Sequence, residues 1–153
     1  MLDRIKIKVQ LNNPDLLREQ AYINGAWVCA DDGGVFEVTN PADNSLLANV
    51  ANLGVEETRQ AIAAASEAWP AWRNRTARDR AAILRRWYEL ILANKEDLAL
   101  LMTAEQGKPL AESAGEIMYG ASFIEWFAEE GKRIYGDVIP THMPDRRIIV
   151  IKQ

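Results

Sequence analysis

The sequence has little of what most specialised chemistry needs. Among 153 residues it holds one cysteine, Cys29, and one histidine, His142. A single thiol excludes an internal disulfide framework and suits a reducing compartment. A single imidazole with no second ligand at metal spacing, in a stretch flanked by Pro140 and Pro144, leaves His142 a structural or solvated residue. Cationic excess is also missing. Eighteen Lys and Arg stand against 22 Asp and Glu, giving a net charge of −4. Such a surface does not attract phosphate backbones or anionic headgroups, so neither nucleic acid nor a membrane is expected as a partner. The densest basic cluster, Arg73, Arg75, Arg78 and Arg80, is broken by Asp79 at a helix start. There is no long apolar run. The N-terminus alternates Lys6 and Lys8 with Ile5, Ile7, Val9 and Leu11, too short and too charged for a signal peptide or a span. A cytoplasmic location is expected.

What is present is ordinary for a soluble globular chain: 48% hydrophobic and 26% charged residues. The length suffices for one domain burying roughly 70% of its unfolded surface. No internal repeat or low-complexity segment occurs. Asn13-Pro14-Asp15 places a capping residue before a proline suited to a first helical position, predicting a short helix through Leu16-Leu17. Asn24-Gly25, between Tyr22-Ile23 and Ala26-Trp27-Val28, predicts a tight hairpin. A second strand pair is expected near Val35–Val38 and Leu46–Val50, joined by the turn Asn40–Asn44.

From Val55 the period becomes helical. Ile62, Ala65, Trp69 and Trp72 recur at spacings of three and four, and Pro70 should kink or end this helix. Thr76 and Asp79 resemble a capping box opening a second helix. Its buried side is expected to carry Ala81, Leu84, Trp87, Tyr88 and Ile91, with Arg78, Arg85, Arg86 and Glu89 solvated opposite. Asn94 and Asp97 start a third helix that Gly107 can stop in the left-handed conformation. Pro109 opens a fourth that should run to about Tyr135 and end at Gly136.

This fourth helix has two apolar faces. Leu110, Ala114, Ile117, Ala121, Ile124 and Ala128 form one stripe, while Tyr119, Phe123 and Trp126, flanked by Glu116, Phe127 and Glu130, fall opposite. A helix apolar on two sides packs between two layers, and the three preceding helices can cover only one. Ile148-Ile149-Val150-Ile151 is a continuous apolar run of the kind buried on both faces. It predicts a partner strand, from another subunit, from sequence beyond this chain, or from the N-terminal strands. Both features predict that the chain is one part of a larger structure.

Several motifs point the same way. Tyr22-Ile23-Asn24-Gly25 with Trp27, Val38-Thr39-Asn40-Pro41-Ala42, Ala68-Trp69-Pro70-Ala71-Trp72-Arg73, and Glu105-Gln106-Gly107-Lys108-Pro109-Leu110 resemble the N-terminal signature of the aldehyde dehydrogenase superfamily. GASFIEWFAEEGKRIYGD, from Gly120 to Asp137, and the terminal IVIKQ resemble its succinate-semialdehyde branch, with glutarate-semialdehyde enzymes close by. The resemblance runs from about Asn12 onward. It implies an α/β fold (α+β within this length) of N-terminal β-hairpins, a helical cluster and a terminal oligomerisation strand. Residues 1–134 would belong to the NAD(P)-binding domain, without its Rossmann core, and 135–153 to the first strand of the oligomerisation arm. Self-association would run through Ile148, Ile149, Val150 and Ile151.

The resemblance also implies the parent chemistry. A cysteine thiolate adds to succinate semialdehyde, hydride passes to NAD or NADP, and the thioester is hydrolysed to succinate. The motifs that carry those steps lie beyond this segment, so the chain itself is expected to be inactive and to bind no nucleotide tightly. Cys29, in the first hairpin with no cation close in sequence, is not the nucleophile. Tyr119, Phe123 and Trp126 would line the mouth of the substrate tunnel, against the plainer reading of core aromatics. Glu105 with the Val38 carbonyl would hold a structural monovalent cation, against the plainer reading that Glu105 caps or pairs near the Gly107 turn. Gln106-Gly107-Lys108-Pro109 lacks the glycine spacing of a phosphate loop and reads as a helix–helix turn. The alternative function is an autonomous helical dimerisation module without catalysis.

Overall fold

A computed structural model describes residues 9–152, so the N-terminal Lys/Ile alternation lies mostly outside the described residues, as does Gln153. A 3-10 turn at Pro14–Leu16 comes first, with the Asn13 side chain accepting from the Asp15 amide. Strands β1 (Ala21–Ile23) and β2 (Ala26–Val28) form the first hairpin. Asn24 and Gly25 take φ of 49° and 81°, the two positive angles the tight turn requires. Strands β3 (Val35–Thr39) and β4 (Leu46–Ala51) form a second antiparallel pair, its register shifting between Val38 and Thr39. The Glu19 carbonyl accepts from the Ala51 amide at 2.8 Å and joins the first segment to this pair.

Four helices follow: α1 (Val55–Arg73), α2 (Ala77–Ala93), α3 (Lys95–Gln106) and α4 (Leu110–Glu130). Pro70 does not end α1, which continues to Arg73. The proline lies in the last turn, so little helix remains beyond its missing donor, and its own carbonyl accepts from the Asn74 amide. The α1 start is fixed by Glu57, a buried carboxylate that accepts from the Gly54 amide at 3.0 Å and the Asp31 amide at 2.9 Å. These bonds, the one from Asp31 first, hold its carboxyl below the usual glutamate range. Thr76 caps α2 as the sequence indicates, accepting from the Asp79 amide at 3.1 Å. Arg80 reaches back to the Arg73 and Arg75 carbonyls and ties off the end of α1.

The second helix departs from the expected faces in two places. Trp87 is exposed together with Ile83 and Leu90, because their spacing puts them on a second stripe beside the one formed by Ala81, Leu84, Tyr88 and Ile91. Arg85 is not merely solvated. It bonds Glu89 on its own helix at 3.3 Å and Glu125 of α4 at 2.8 Å, so it laces the two helices together.

The helical layer packs through small residues. Ala99, Ala121 and Ala128 are each 1% exposed and Ser113 is 0% exposed, which lets α4 approach both α2 and α3 closely. Ser113 Oγ lies 2.8 Å from Thr103 Oγ1 of α3, each hydroxyl satisfying the other. Gly107 ends α3 with φ 73°, and a Cβ there would meet Pro41 Cγ of the β3–β4 turn at 2.8 Å. We expect Gly107→Ala to cost about 1–2 kcal/mol in backbone strain, plus the displacement of Pro41. Chemical denaturation should show it as a lower midpoint with an unchanged slope.

The C-terminal end differs most from expectation. Helix α4 stops at Glu130, and Gly131–Arg133 tighten into a 3-10 turn, short of Tyr135 and Gly136. Charges crowd this end, where Lys132 pairs with Glu129 and Arg133 with Glu130. The chain then forms β5 (Asp137–Ile139), which pairs antiparallel with β6 (Ile148–Val150) in the register Val138↔Ile149. The apolar strand therefore finds a partner on its own chain, and not among the N-terminal strands. Gly136 serves this hairpin instead of a helix end: a Cβ on it would lie 1.9 Å from the Val150 carbonyl oxygen.

Candidate functional site

Helix α4 presents its second apolar face as the sequence predicts. Tyr119, Phe123, Trp126 and Phe127 are exposed, on the side away from the buried Ala121 and Ala128. Tyr119 and Phe123, one turn apart, stack edge to face with ring centroids 4.9 Å apart and planes at 81°. The Tyr119 carbonyl also accepts from Ser122 Oγ at 2.7 Å. Phe123, Trp126 and Phe127 line a groove of about 790 Å³ with Ser122, Glu125, Glu129, Glu130 and Arg133. The structure thus brings Phe123 and Trp126 to one concavity and rests Tyr119 against Phe123.

The groove has an apolar floor and a charged rim. Its rim acids are occupied: Glu125 by Arg85, Glu129 by Lys132 at 3.0 Å, and Glu130 by Arg133. The Lys132 ammonium beside Glu129 keeps that carboxyl below the usual range. With its carboxylates neutralised by cations, the groove offers apolar surface and no free acid or base for proton transfer.

Glu105 is exposed in the last turn of α3, and Val38 is half-buried in β3 beside the register shift. The contact between Gly107 and Pro41 brings that end of α3 against the β3–β4 turn. Among the described residues no group of three or more His, Cys, Asp or Glu is gathered as metal ligands. Cys29 is exposed just after β2, and its sulfur accepts from Gln20 Nε2 at 3.4 Å. His142 is exposed in the β5–β6 connection. Lys108, in the α3–α4 turn, is paired with Glu116 of α4.

One seat for a nucleotide diphosphate is a helix start that presents free amides without an acid beside them. Here the first turns carry Glu56 and Glu57 in α1, Asp79 in α2, Glu96 and Asp97 in α3, and Glu112 in α4. These helix starts do not fit such a group. Sequence reasoning missed the Glu57 and Asp97 clamps, because each takes a donor that lies far away along the chain, Asp31 at 26 residues from Glu57 and Asn13 at 84 from Asp97. No helix among the described residues is long and apolar enough to cross a membrane.

Comparison with known proteins bears directly on this architecture. The chain is 61% identical to glutarate-semialdehyde dehydrogenase of Pseudomonas putida over 145 residues, covering 95% of the chain and 30% of that enzyme. It is 59% identical to an NADP-dependent succinate-semialdehyde dehydrogenase of Escherichia coli over the same shares. Among solved structures, an Escherichia coli NADP-dependent enzyme superposes with a TM-score of 0.92 at 60% identity, covering 94% of this chain and 30% of that one. The succinate-semialdehyde dehydrogenase of Burkholderia pseudomallei gives 0.90 at 57% identity, again over 94% and 30%. The chain thus spans about 30% of the length of the relatives it matches. The model of the aldehyde dehydrogenase family matches residues 27–153, which takes in the β3–β4 and β5–β6 pairs, the helical layer and the α4 groove, and the chain belongs to that family.

Proposed function

We propose that this chain is the N-terminal part of an NAD(P)-dependent aldehyde dehydrogenase that oxidises succinate semialdehyde to succinate in the cytoplasm. What carries the reading is identity near 60% to semialdehyde dehydrogenases over 95% of the chain. A second substrate, glutarate semialdehyde, is favoured by the Pseudomonas putida relative, whose identity is as high. The free, exposed Cys29 suits the reducing compartment.

Within that enzyme the segment acts as scaffold. Residues 1–134 form one flank of the NAD(P)-binding domain, and 135–153 begin the oligomerisation arm, associating through Ile148, Ile149, Val150 and Ile151. Tyr119, Phe123 and Trp126 line the approach to the substrate tunnel, where an apolar floor admits an uncharged aldehyde end. Glu105 and the Val38 carbonyl hold a monovalent cation. The register shift at Val38 and the packing of Gly107 on Pro41 support that placement.

The purified chain, offered succinate or glutarate semialdehyde with NAD or NADP, should give no reduced nucleotide above background, whereas the complete polypeptide should turn over. Turnover by the chain alone would sink the assignment of the chemistry elsewhere. A complete polypeptide inactive on both semialdehydes would sink the substrate.

A further inference from the structure

Asp97 is the third residue of α3, yet its carboxylate does not serve its own helix. The N-cap residue Asn94 makes no side-chain cap, and Asp97, only 3% exposed, turns instead toward the N-terminal segment. Its Oδ2 accepts the Asn13 amide at 2.7 Å. Its Oδ1 accepts the Asn12 amide at 3.0 Å and Asn12 Nδ2 at 3.1 Å. All three donors come from two adjacent residues, and the carboxylate answers them with both oxygens. Beside them runs a polar cleft of about 480 Å³, lined by Asn12, Asn13 and residues 92–97.

We propose that Asp97 is a latch: its ionised carboxylate straps residues 12–13 over the α2–α3 corner, and neutralising it frees the strap while α2, α3 and α4 stay folded. The helical layer does not depend on this contact. Its ties are the Ser113–Thr103 hydroxyl pair, the Arg85–Glu125 bridge and the buried alanines, none of which involves Asp97. The strap depends on it directly, because both backbone amides point at a group able to change its hydrogen-bonding character. A carboxylate only accepts. Once protonated, or replaced by a carboxamide, one of its two heads carries a donor facing an N–H, and that bond is lost.

Among the described residues the charged groups around the latch are few. Lys95 and Glu96 line the same cleft from α3, and the strap brings Asp15, paired with Arg18 at 3.7 Å. The end of α2 contributes only Leu92 and Ala93 there. The Asn13 and Asn12 amides, in that order, hold the Asp97 carboxyl below its ordinary range. A depressed folded value means that the latch is complete above the ordinary aspartate range. It opens as pH falls through the depressed value.

Hydrogen–deuterium exchange on the intact chain tests this, with rates corrected for the intrinsic effect of pH. At neutral pH the Asn12 and Asn13 amides should exchange slowly. In Asp97→Asn they should exchange at least about tenfold faster while α2, α3 and α4 keep their protection. Acidifying the wild-type chain should reproduce that release, and Asp97→Asn should show no further step. Asn12→Ala lies outside the helices and removes only the side-chain donor; it should give a smaller rise at Asn13. The latch is overturned if Asn12 and Asn13 exchange is unchanged in Asp97→Asn, or if Asn12→Ala has no effect at Asn13. It is equally overturned if α3 and α4 lose protection together with the strap, since Asp97 would then be part of the global fold.

Discussion

Replacing Ala121 with leucine should lower stability by about 3 kcal/mol, at the upper end of what overpacking a core usually costs. Ala121 is 1% exposed on the face of α4 that meets the other helices, with Ile117 and Ile124 one turn away on either side. Added carbon atoms have no open space to enter, so α4 must move outward. That movement loosens the Ser113–Thr103 pair and the Arg85–Glu125 bridge, which depend on the same close approach. For a chain of this size the change corresponds to a melting temperature lower by about 10 °C. Ala111, on the same helix but exposed, supplies the control, and Ala111→Leu should leave the melting curve in place. If circular dichroism found both variants melting with the wild type, the small-residue contact would not be what holds the layer.

The helix starts and tight turns were readable because their causes are local. Asn24-Gly25, Thr76 with Asp79, and Gly107 each act on residues within one turn, so three or four letters of sequence specify the geometry. The two faces of α4 were readable for the same reason, since periodicity alone separates Ala121 and Ala128 from Tyr119, Phe123 and Trp126. Long-range partners were not. The apolar run Ile148–Ile151 declared its need for a strand. The strand that meets it, Asp137–Ile139, is too short and too close to Pro140 to stand out. Trp87 sits at the border between two stripes of α2, where a rotation of one residue decides between burial and exposure.

The site was legible only as chemistry on a surface. Periodicity placed the α4 aromatics together. The charged rim of their groove depends on pairs such as Arg85–Glu125, formed between residues of α2 and α4 that lie 40 positions apart in sequence. Asp97 was readable only as an acid that helps start α3, and Glu57 gave no signal of its own. The structure spends them on amides of distant segments, and only the fold reveals which ones.

Ile149→Lys should abolish the discrete self-association that we assign to the β5–β6 hairpin. Ile149 is 68% exposed and lies opposite Val138, which is exposed too, and with Ile151 they make an apolar face. Among the described residues β5 and β6 form a sheet of two strands, so each retains an outer edge able to accept another strand. A lysine there obstructs pairing through the cost of desolvating its ammonium. General charge repulsion cannot account for the loss, because the substitution brings the net charge of −4 closer to zero. Light scattering coupled to size exclusion should find the wild type as a dimer or larger, and Ile149→Lys at the 17.2 kDa of one chain. Gly136→Ala approaches the same end through the backbone. With a Cβ 1.9 Å from the Val150 carbonyl oxygen, the hairpin must open, and association should fall without any added charge. If association survived both changes and vanished instead in Trp126→Ser, the α4 face would be what joins the copies, and the hairpin would lose its role as the arm.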